Sequence, residues 1–264
     1  MASEVEVPFT KQMRIATKEI HNVSDALINA KLGIAMTEDR VWAEGLLVFY
    51  EVFRYLEEAL DRHSHTLIGE LDIPGMRRTE AFEKDLCYYL GNDWKNGYTP
   101  RESVCQYLKH LEKIEEENPY FLMSYIYHLY MGLLSGGQIL RRKKVLLEKL
   151  TFSRKDTVEG MAVTEIADGS VSKIKRQMTE SMNQIAGEMD EDTRQRLMDE
   201  SKMVFILNNR MVHSIEGAGA VVTIKIIKLG VYGALAVLLF TYLKKFLTGL
   251  SLATPSSSAL PSSI

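Results

Sequence analysis

Residues 46–60 read LLVFYEVFRYLEEAL. Leu46, Phe49, Tyr50, Phe53, Leu56 and Leu60 recur at steps of three and four, which is one stripe of an amphipathic helix. Met13, Ala16, Ile20, Val23 and Leu27 repeat the spacing near the start. Leu197, Val204, Leu207 and Met211 repeat it late, behind the acidic run Asp190, Glu191, Asp192. No sustained alternation of β-branched residues with hairpin turns appears, so the pattern predicts an all-α fold. The prolines agree. Of Pro8, Pro74, Pro100, Pro119, Pro255 and Pro261, none lies between Tyr120 and Thr254, so that stretch can run helical without interruption. Breaks are expected at Asp72-Ile73-Pro74-Gly75, from Gly91-Asn92-Asp93 to Pro100, and at Glu117-Asn118-Pro119. Residues 154–172 are polar and read as a long connection.

The chain has 264 residues, 46% apolar and 25% charged, a globular balance with enough length to bury a core. No internal repeat is visible, and one domain over 10–215 after a flexible 1–9 fits best. A net charge of -3 argues against a general nucleic-acid binder, which needs an excess of Lys and Arg to neutralise phosphates. With only Cys87 and Cys105, a disulfide scaffold and a CxxC site are excluded, and a reducing compartment is expected. Both cysteines are most simply small core or surface residues. The opening MASEVEVPFTKQ lacks the basic-then-apolar pattern of a secretory signal.

The C-terminus differs in kind. Gly217-Ala218-Gly219-Ala220 reads as flexible, within a linker over 216–228. Leu229 to Leu243, LGVYGALAVLLFTYL, then carries no charge, with Lys225 and Lys228 before it and Lys244 and Lys245 after. Fifteen helical residues span about 22 Å, short of a hydrocarbon core of roughly 30 Å. Flanking lysines can snorkel, and apolar residues continue to Leu250. A transmembrane tail anchor over 229–250 is therefore expected, with the domain facing the cytosol. A buried helix of the soluble domain is the alternative. The tail SLATPSSSALPSSI, 251–264, is low-complexity and expected to be disordered.

No catalytic signature stands out. The six histidines form no HExxH or other metal-ligand spacing, and GxSxG, Walker and GxGxxG motifs are absent. Two segments carry unusual chemistry. In RIATKEIHNVSD, Arg14, Lys18, His21 and Asp25 step by four, three and four along one helix face. Taken alone, this is most simply a solvated polar face with an ion pair. In YIYHLYMGLLSGGQILRRKK, residues 125–144, Gly132, Gly136 and Gly137 interrupt an aromatic helix. Each glycine costs about 1 kcal/mol in a helix interior, so three need a compensating reason: a helix end, a kink, or close approach to something flat.

Together, ATKEIH and the LSGGQ helix about 110 residues later make the chain resemble the heme oxygenase family, in its tail-anchored eukaryotic form. YEVFRYLEEALDR, FEKDLCYYLGNDW and RQRLMDESKMVFILN match that family in order, and the apolar tail matches as well. The resemblance covers roughly residues 10–215 plus the anchor. It implies the single-domain all-α heme oxygenase fold, with heme, both substrate and cofactor, between a proximal and a distal helix. Electrons come from NADPH through NADPH-cytochrome P450 reductase. O2 activated on the iron attacks a meso carbon, and biliverdin, ferrous iron and carbon monoxide result. Biliverdin reductase is a further implied partner. The implied address is the endoplasmic reticulum membrane, with the mitochondrial outer membrane as the alternative.

By the same resemblance His21 is the proximal ligand of the heme iron, and Asp25 orients its ring. His128, on the distal helix, is the rival ligand. Arg14, Lys175 and Tyr127 match positions that bind the heme propionates, and Lys18 lies on the same helix face as a further heme-binding residue. Phe205 and Asn208 border the pocket. Gly132, Leu133, Ser135, Gly136 and Gly137 form the distal catalytic segment, whose glycines let the helix bend over the porphyrin. The sequence departs from the family where the chemistry happens. The usual Gly-Asp-Leu-Ser-Gly-Gly reads Gly132-Leu133-Leu134-Ser135-Gly136-Gly137. The aspartate that organises distal water is Leu133, the arginine one turn earlier is Leu129, and a tyrosine of that network is Phe53. Only Asn208 remains of these groups. A second propionate cation is Thr179, and an aromatic stretch after the distal helix reads Gly160-Met161-Ala162-Val163-Thr164-Glu165. Slow turnover with relaxed meso-carbon selectivity is therefore expected. A heme-binding sensor or sink is the alternative function, and a helical membrane-tethered interaction protein without heme is a third.

Overall fold

The stripe of residues 46–60 is buried as its spacing requires. Leu46, Tyr50, Phe53, Leu56 and Leu60 are each 7% exposed or less, and Phe49 is half-buried. This computed structural model describes residues 7–35, 38–150, 159–166, 170–216 and 218–252. All of its regular elements are helical, with no β-strand among the described residues.

The first two helices are α1 (Phe9–Ala16) and α2 (Lys18–Ala35). They meet at Thr17, which donates its hydroxyl to the Met13 carbonyl at 2.8 Å. Such back-bonding bends a helix without stopping it, and backbone bonds still cross the joint, His21 N–H to Thr17 O at 2.9 Å. The apolar stripe expected here is only partly buried. Met13 is fully enclosed, whereas Ala16 lies exposed and Val23 is 61% exposed. The kink turns the stripe, and α2 packs chiefly on one neighbour, so part of it faces outward.

Helix α3 (Asp39–Arg62) holds the centre, with α4 (Thr79–Leu90) and α5 (Glu102–Glu117) against it. The breaks between them fall at the expected turns, where Gly75 and Gly91 take positive φ. Helix α6 (Leu122–Gly132) runs into a single π-helical turn, Leu133–Gly137, and then α7 (Gln138–Leu150). Helices α8 (Ser170–Gly187) and α9 (Glu191–Ser214) close the domain. Leu197, Val204, Leu207 and Met211 of α9 are all buried, and α9 packs on α1, α2, α3, α5 and α6.

Of the long connection read at 154–172, only 159–166 and 170–172 fall within the described residues. Residues 159–166 form a strap. The buried Asp85 carboxylate on α4 accepts the N–H groups of Ala162 at 2.7 Å and Val163 at 2.9 Å. Gln138 donates to the Thr164 carbonyl at 2.6 Å. Gly160 is required there: its φ is 76°, and a Cβ would lie 2.6 Å from Tyr88 and Tyr89. The strap thus ties α4 to the π-turn.

Helix α10 (Ala218–Leu252) belongs to a second unit. The linker expected at 216–228 is helical from Ala218 onward, since its Gly and Ala residues are followed by helix-compatible apolar ones. Residues Ile226–Lys245 have a mean hydropathy of 1.9 and none of that window is buried, so this stretch is long and apolar enough to cross a membrane. Residues 253–264 of the expected disordered tail and 1–6 of the expected flexible N-terminus lie outside the described residues; Phe9, placed in that N-terminus, already starts α1 and is buried.

Candidate functional site

Helices α2 and α6 both lean on α9, yet pack little on each other among the described residues. The gap between them collects most of the residues singled out from the sequence.

On the α2 side stands His21. Its Nδ1 lies 3.2 Å from the Asp25 carboxylate one turn on, which favours the tautomer with a free lone pair on Nε2. The ring is 52% exposed, so that lone pair is accessible. Asp25 is also exposed, and a pair this open adds little stability; its consequence is orientation. The Phe205 ring of α9 sits edge-on to His21 at 5.3 Å.

On the α6 side the glycines behave in two ways. A Cβ added at Gly132 or Gly136 meets nothing within 4 Å, so both present bare backbone to open space. A Cβ at Gly137 would sit 3.0 Å from Leu133 Cδ1 and 3.6 Å from Thr164 Cγ2. Gly137 therefore admits the Leu133 side chain and the strap. The π-turn gives Gly137 its compensating reason, because a Cβ there would crowd Leu133 and the strap. Leu133 is half-buried, and Ser135 is exposed and accepts from Lys175 Nζ at 2.9 Å.

One end of the gap is cationic and hydroxyl-rich. Burial raises the Tyr127 phenol above its ordinary range, opposed by the side chains of Thr179 and Thr10 and by the charge of Arg14. Arg14 from α1, Tyr127 from α6 and Lys175 and Thr179 from α8 thus converge from three helices. Lys18 is exposed at the start of α2.

The opposite wall holds groups that periodicity does not reveal. His128 is half-buried, with rings of Phe205 at 5.1 Å and Tyr127 at 5.3 Å, and its Nε2 is closed to solvent without a hydrogen-bond partner. Burial, and then the charge of His21, pushes it down to about 3, so it is neutral at physiological pH. Asn208 Oδ1 is likewise buried without a partner. Leu129 and Phe53 are buried, and Phe53 packs at 5.1 Å on Tyr130 and 5.2 Å on Phe82. Behind them Glu57 accepts from the Tyr130 hydroxyl at 2.7 Å and from the N–H groups of Arg78 and Thr79. Glu57 carried no sequence signal, because its partners lie 21 and 73 residues away.

Two open clefts lie elsewhere. One of about 370 Å³ is lined by Glu44, Tyr98 and Arg101, another of about 380 Å³ by Tyr55, Arg62 and Glu115. Both are ringed by ion pairs already satisfied within the protein. The space at His21 combines an accessible imidazole, bare glycine backbone, clustered cations and orphaned buried polar atoms. Those features fit a flat, anionic-edged, metal-bearing ligand such as heme.

Residues 7–214 match the family model described as heme oxygenase. Among curated proteins, heme oxygenase 1 of Nostoc sp. is 28% identical over 209 residues, covering 78% of this chain and 85% of the relative. Human heme oxygenase 1 is 28% identical over 216 residues, covering 78% and 71%. Among solved structures, heme oxygenase 2 of Chlamydomonas reinhardtii without heme superposes with a TM-score of 0.71 at 26% identity, covering 79% of this chain and 98% of that one. Heme oxygenase-2 of Synechocystis sp., in complex with heme and NO, gives 0.69 at 25% identity, covering 80% and 86%.

Proposed function

The chain belongs to the heme oxygenase family, and on that premise we propose that it binds heme between α2 and α6 and cleaves it oxidatively to biliverdin, ferrous iron and carbon monoxide. One observation carries the reading. An exposed imidazole oriented by Asp25 faces a gap whose other wall, at Gly132 and Gly136, is backbone without side chains.

His21 Nε2 is the group for the iron, because Asp25 occupies Nδ1 and leaves it free. Arg14, Lys18, Lys175 and Tyr127 take the propionates, with Lys175 exchanging its bond to Ser135 for a carboxylate. Gly132 and Gly136 let the plane of the substrate lie against the helix, while Gly137 and the strap hold the π-turn's far side. Phe205 and Asn208 close the pocket from α9. The iron of the substrate activates O2, with electrons from NADPH through cytochrome P450 reductase. Leu133, Leu129 and Phe53 supply no proton or hydrogen bond, so turnover is slow and attack spreads over several meso carbons.

The same apolar wall supports a second reading, a heme sensor or sink without efficient turnover. Helix α10 anchors the protein, in this reading at the endoplasmic reticulum with the domain in the cytosol, where biliverdin reductase takes the product. The deciding test adds hemin and then reductase with NADPH. A Soret band followed by biliverdin supports the enzyme. A Soret band that persists through reductase cycles supports the sink, and no Soret band defeats both.

A further inference from the structure

Asp85 on α4 is closed to solvent, and among the described residues no cation forms an ion pair with it. Taking a charge out of water without a counter-charge is costly, so its retention calls for a reason. Its two oxygens are both spent on the strap: Oδ1 accepts the Ala162 N–H at 2.7 Å and Oδ2 the Val163 N–H at 2.9 Å. A cap for the short turn Ala162–Thr164 needs only one such bond, which a serine or asparagine also makes. Two consecutive N–H groups taken by one carboxylate fix the strap in angle as well as in place. The strap is held at two further points. Arg78, buried just before α4, donates to the Glu165 carbonyl at 2.8 Å, and Gln138, the residue after the π-turn, donates to the Thr164 carbonyl at 2.6 Å. Thr164 Cγ2 lies 3.6 Å from where a Cβ on Gly137 would stand, so the strap packs directly on the π-turn. Gly132 and Gly136, whose bare backbone faces open space, lie just before and within that turn. A continuous chain of contacts therefore runs from Asp85 through the strap to the wall of the gap.

We infer that Asp85 is a positioning residue: by fixing the strap it sets where the π-turn stands over bound heme, and so how attack is shared among the meso carbons. The inference rests on the reading that this gap binds heme. His21 and Arg14, assigned to the iron and a propionate, are carried by α2 and α1, and neither bond of Asp85 reaches those helices. Affinity for hemin and placement of the π-turn are thus controlled from different parts of the fold, and a fault at Asp85 falls on the second. In Asp85→Asn the carboxamide keeps one acceptor and turns an N–H toward a strap N–H, so one of the two bonds is lost and donor faces donor. The strap then gains a displaced state, and the π-turn moves with it.

The test uses the full-length protein in detergent and compares wild type with Asp85→Asn, Gln138→Met and the double variant. Glu115→Gln, whose hydrogen bonds join α5 to Tyr55 and Arg62 of α3, is the control for lost stability alone. Without hemin, amide hydrogen exchange over residues 133–137 should quicken about tenfold in Asp85→Asn, the effect of one lost hydrogen bond, and similarly in Gln138→Met. The double variant should fall well short of the product of the two, because both bonds hold one strap. With hemin, each variant should keep wild-type affinity and KM while kcat falls and the ratio of biliverdin isomers shifts, and Glu115→Gln should show none of these changes. Where wild type binds hemin without turning it over, the carbon monoxide stretching band of the reduced complex takes the place of the isomer ratio, and it should broaden or split in both strap variants. An Asp85→Asn protein that melts lower but keeps the wild-type exchange, isomer ratio and carbon monoxide band overturns the inference and leaves the heme reading intact, since Asp85 would then only cap the strap. Weakened hemin binding with an unchanged isomer ratio overturns it too. If Asp85→Asn does not fold, Gln138→Met, at a half-buried position, carries the same test with the same two outcomes. If wild type gives no Soret band with hemin, the heme reading falls and this inference falls with it.

Discussion

Replacing Gly132 or Gly136 by alanine should stabilise the heme-free protein and weaken heme binding. Gly132 has φ -62° and ψ -48°, ordinary helical values that alanine adopts without strain. The added Cβ meets nothing within 4 Å at either position. The propensity difference is then uncompensated, and each alanine should add about 0.5–1 kcal/mol. For a domain of this size that raises the melting temperature by about 1–4 °C. Gly137 is the internal control. Its alanine places a methyl 3.0 Å from Leu133 Cδ1, so that leucine must give way and the gain should vanish. The cost at Gly132 and Gly136 appears only with substrate, because their methyls stand in the gap that heme must enter. Thermal unfolding without hemin, paired with a Soret titration, measures both effects. Alanines that stabilise the protein while leaving hemin affinity unchanged would refute the placement of heme against α6.

His21→Ala should abolish the axial-ligand signature of the heme complex while leaving the melting temperature almost unmoved, because the ring is half exposed; a variant with the wild-type spectrum sinks the assignment. Leu133→Asp should raise turnover and narrow the mixture of biliverdin isomers seen by chromatography, and a fast wild type yielding a single isomer would contradict the apolar-wall account. Glu115 gives a pH prediction: burial pushes its carboxyl up, but hydrogen bonds from Arg62, Tyr55 and His63 outweigh burial and hold it down to about 2. Its stabilisation is fully present above the ordinary pKa near 4.5 and is lost as pH falls toward 2, so Glu115→Gln should flatten the acid limb of a stability-versus-pH curve in that window.

The helices were legible because their signal is local. The buried stripes of residues 46–60 and 197–211 follow from spacing alone, and Pro74, Pro100 and Pro119 mark true breaks. The stripe from Met13 to Leu27 misled at Ala16 and Val23, because periodicity assumes one straight helix and Thr17 bends it. The glycines announced a disturbance without its form; a π-turn, rather than a helix end, depends on how the strap and Leu133 pack against Gly137. The His21–Asp25 pair was readable from a spacing of four. His128 was visible as a residue but not as a half-buried one, since its burial comes from Phe205, 77 residues later in the chain. The helical backbone from Ala218 within the expected linker at 216–228 carried no local signal, because small residues can as easily begin a helix as avoid one.

The polar chemistry of the distal wall has been separated rather than simply lost. Glu57 is buried, and both its oxygens are taken by donors of the protein itself: the Tyr130 hydroxyl and the N–H groups of Arg78 and Thr79. Phe53 packs on the Tyr130 ring, and Leu129 is buried on the same helix. A single polar group restored at any of these positions would meet apolar partners and cost about 1–3 kcal/mol, which is why the replacements make sense only as a set. The set leaves no orphaned atom at Leu129, Leu133 or Phe53, and two at His128 and Asn208.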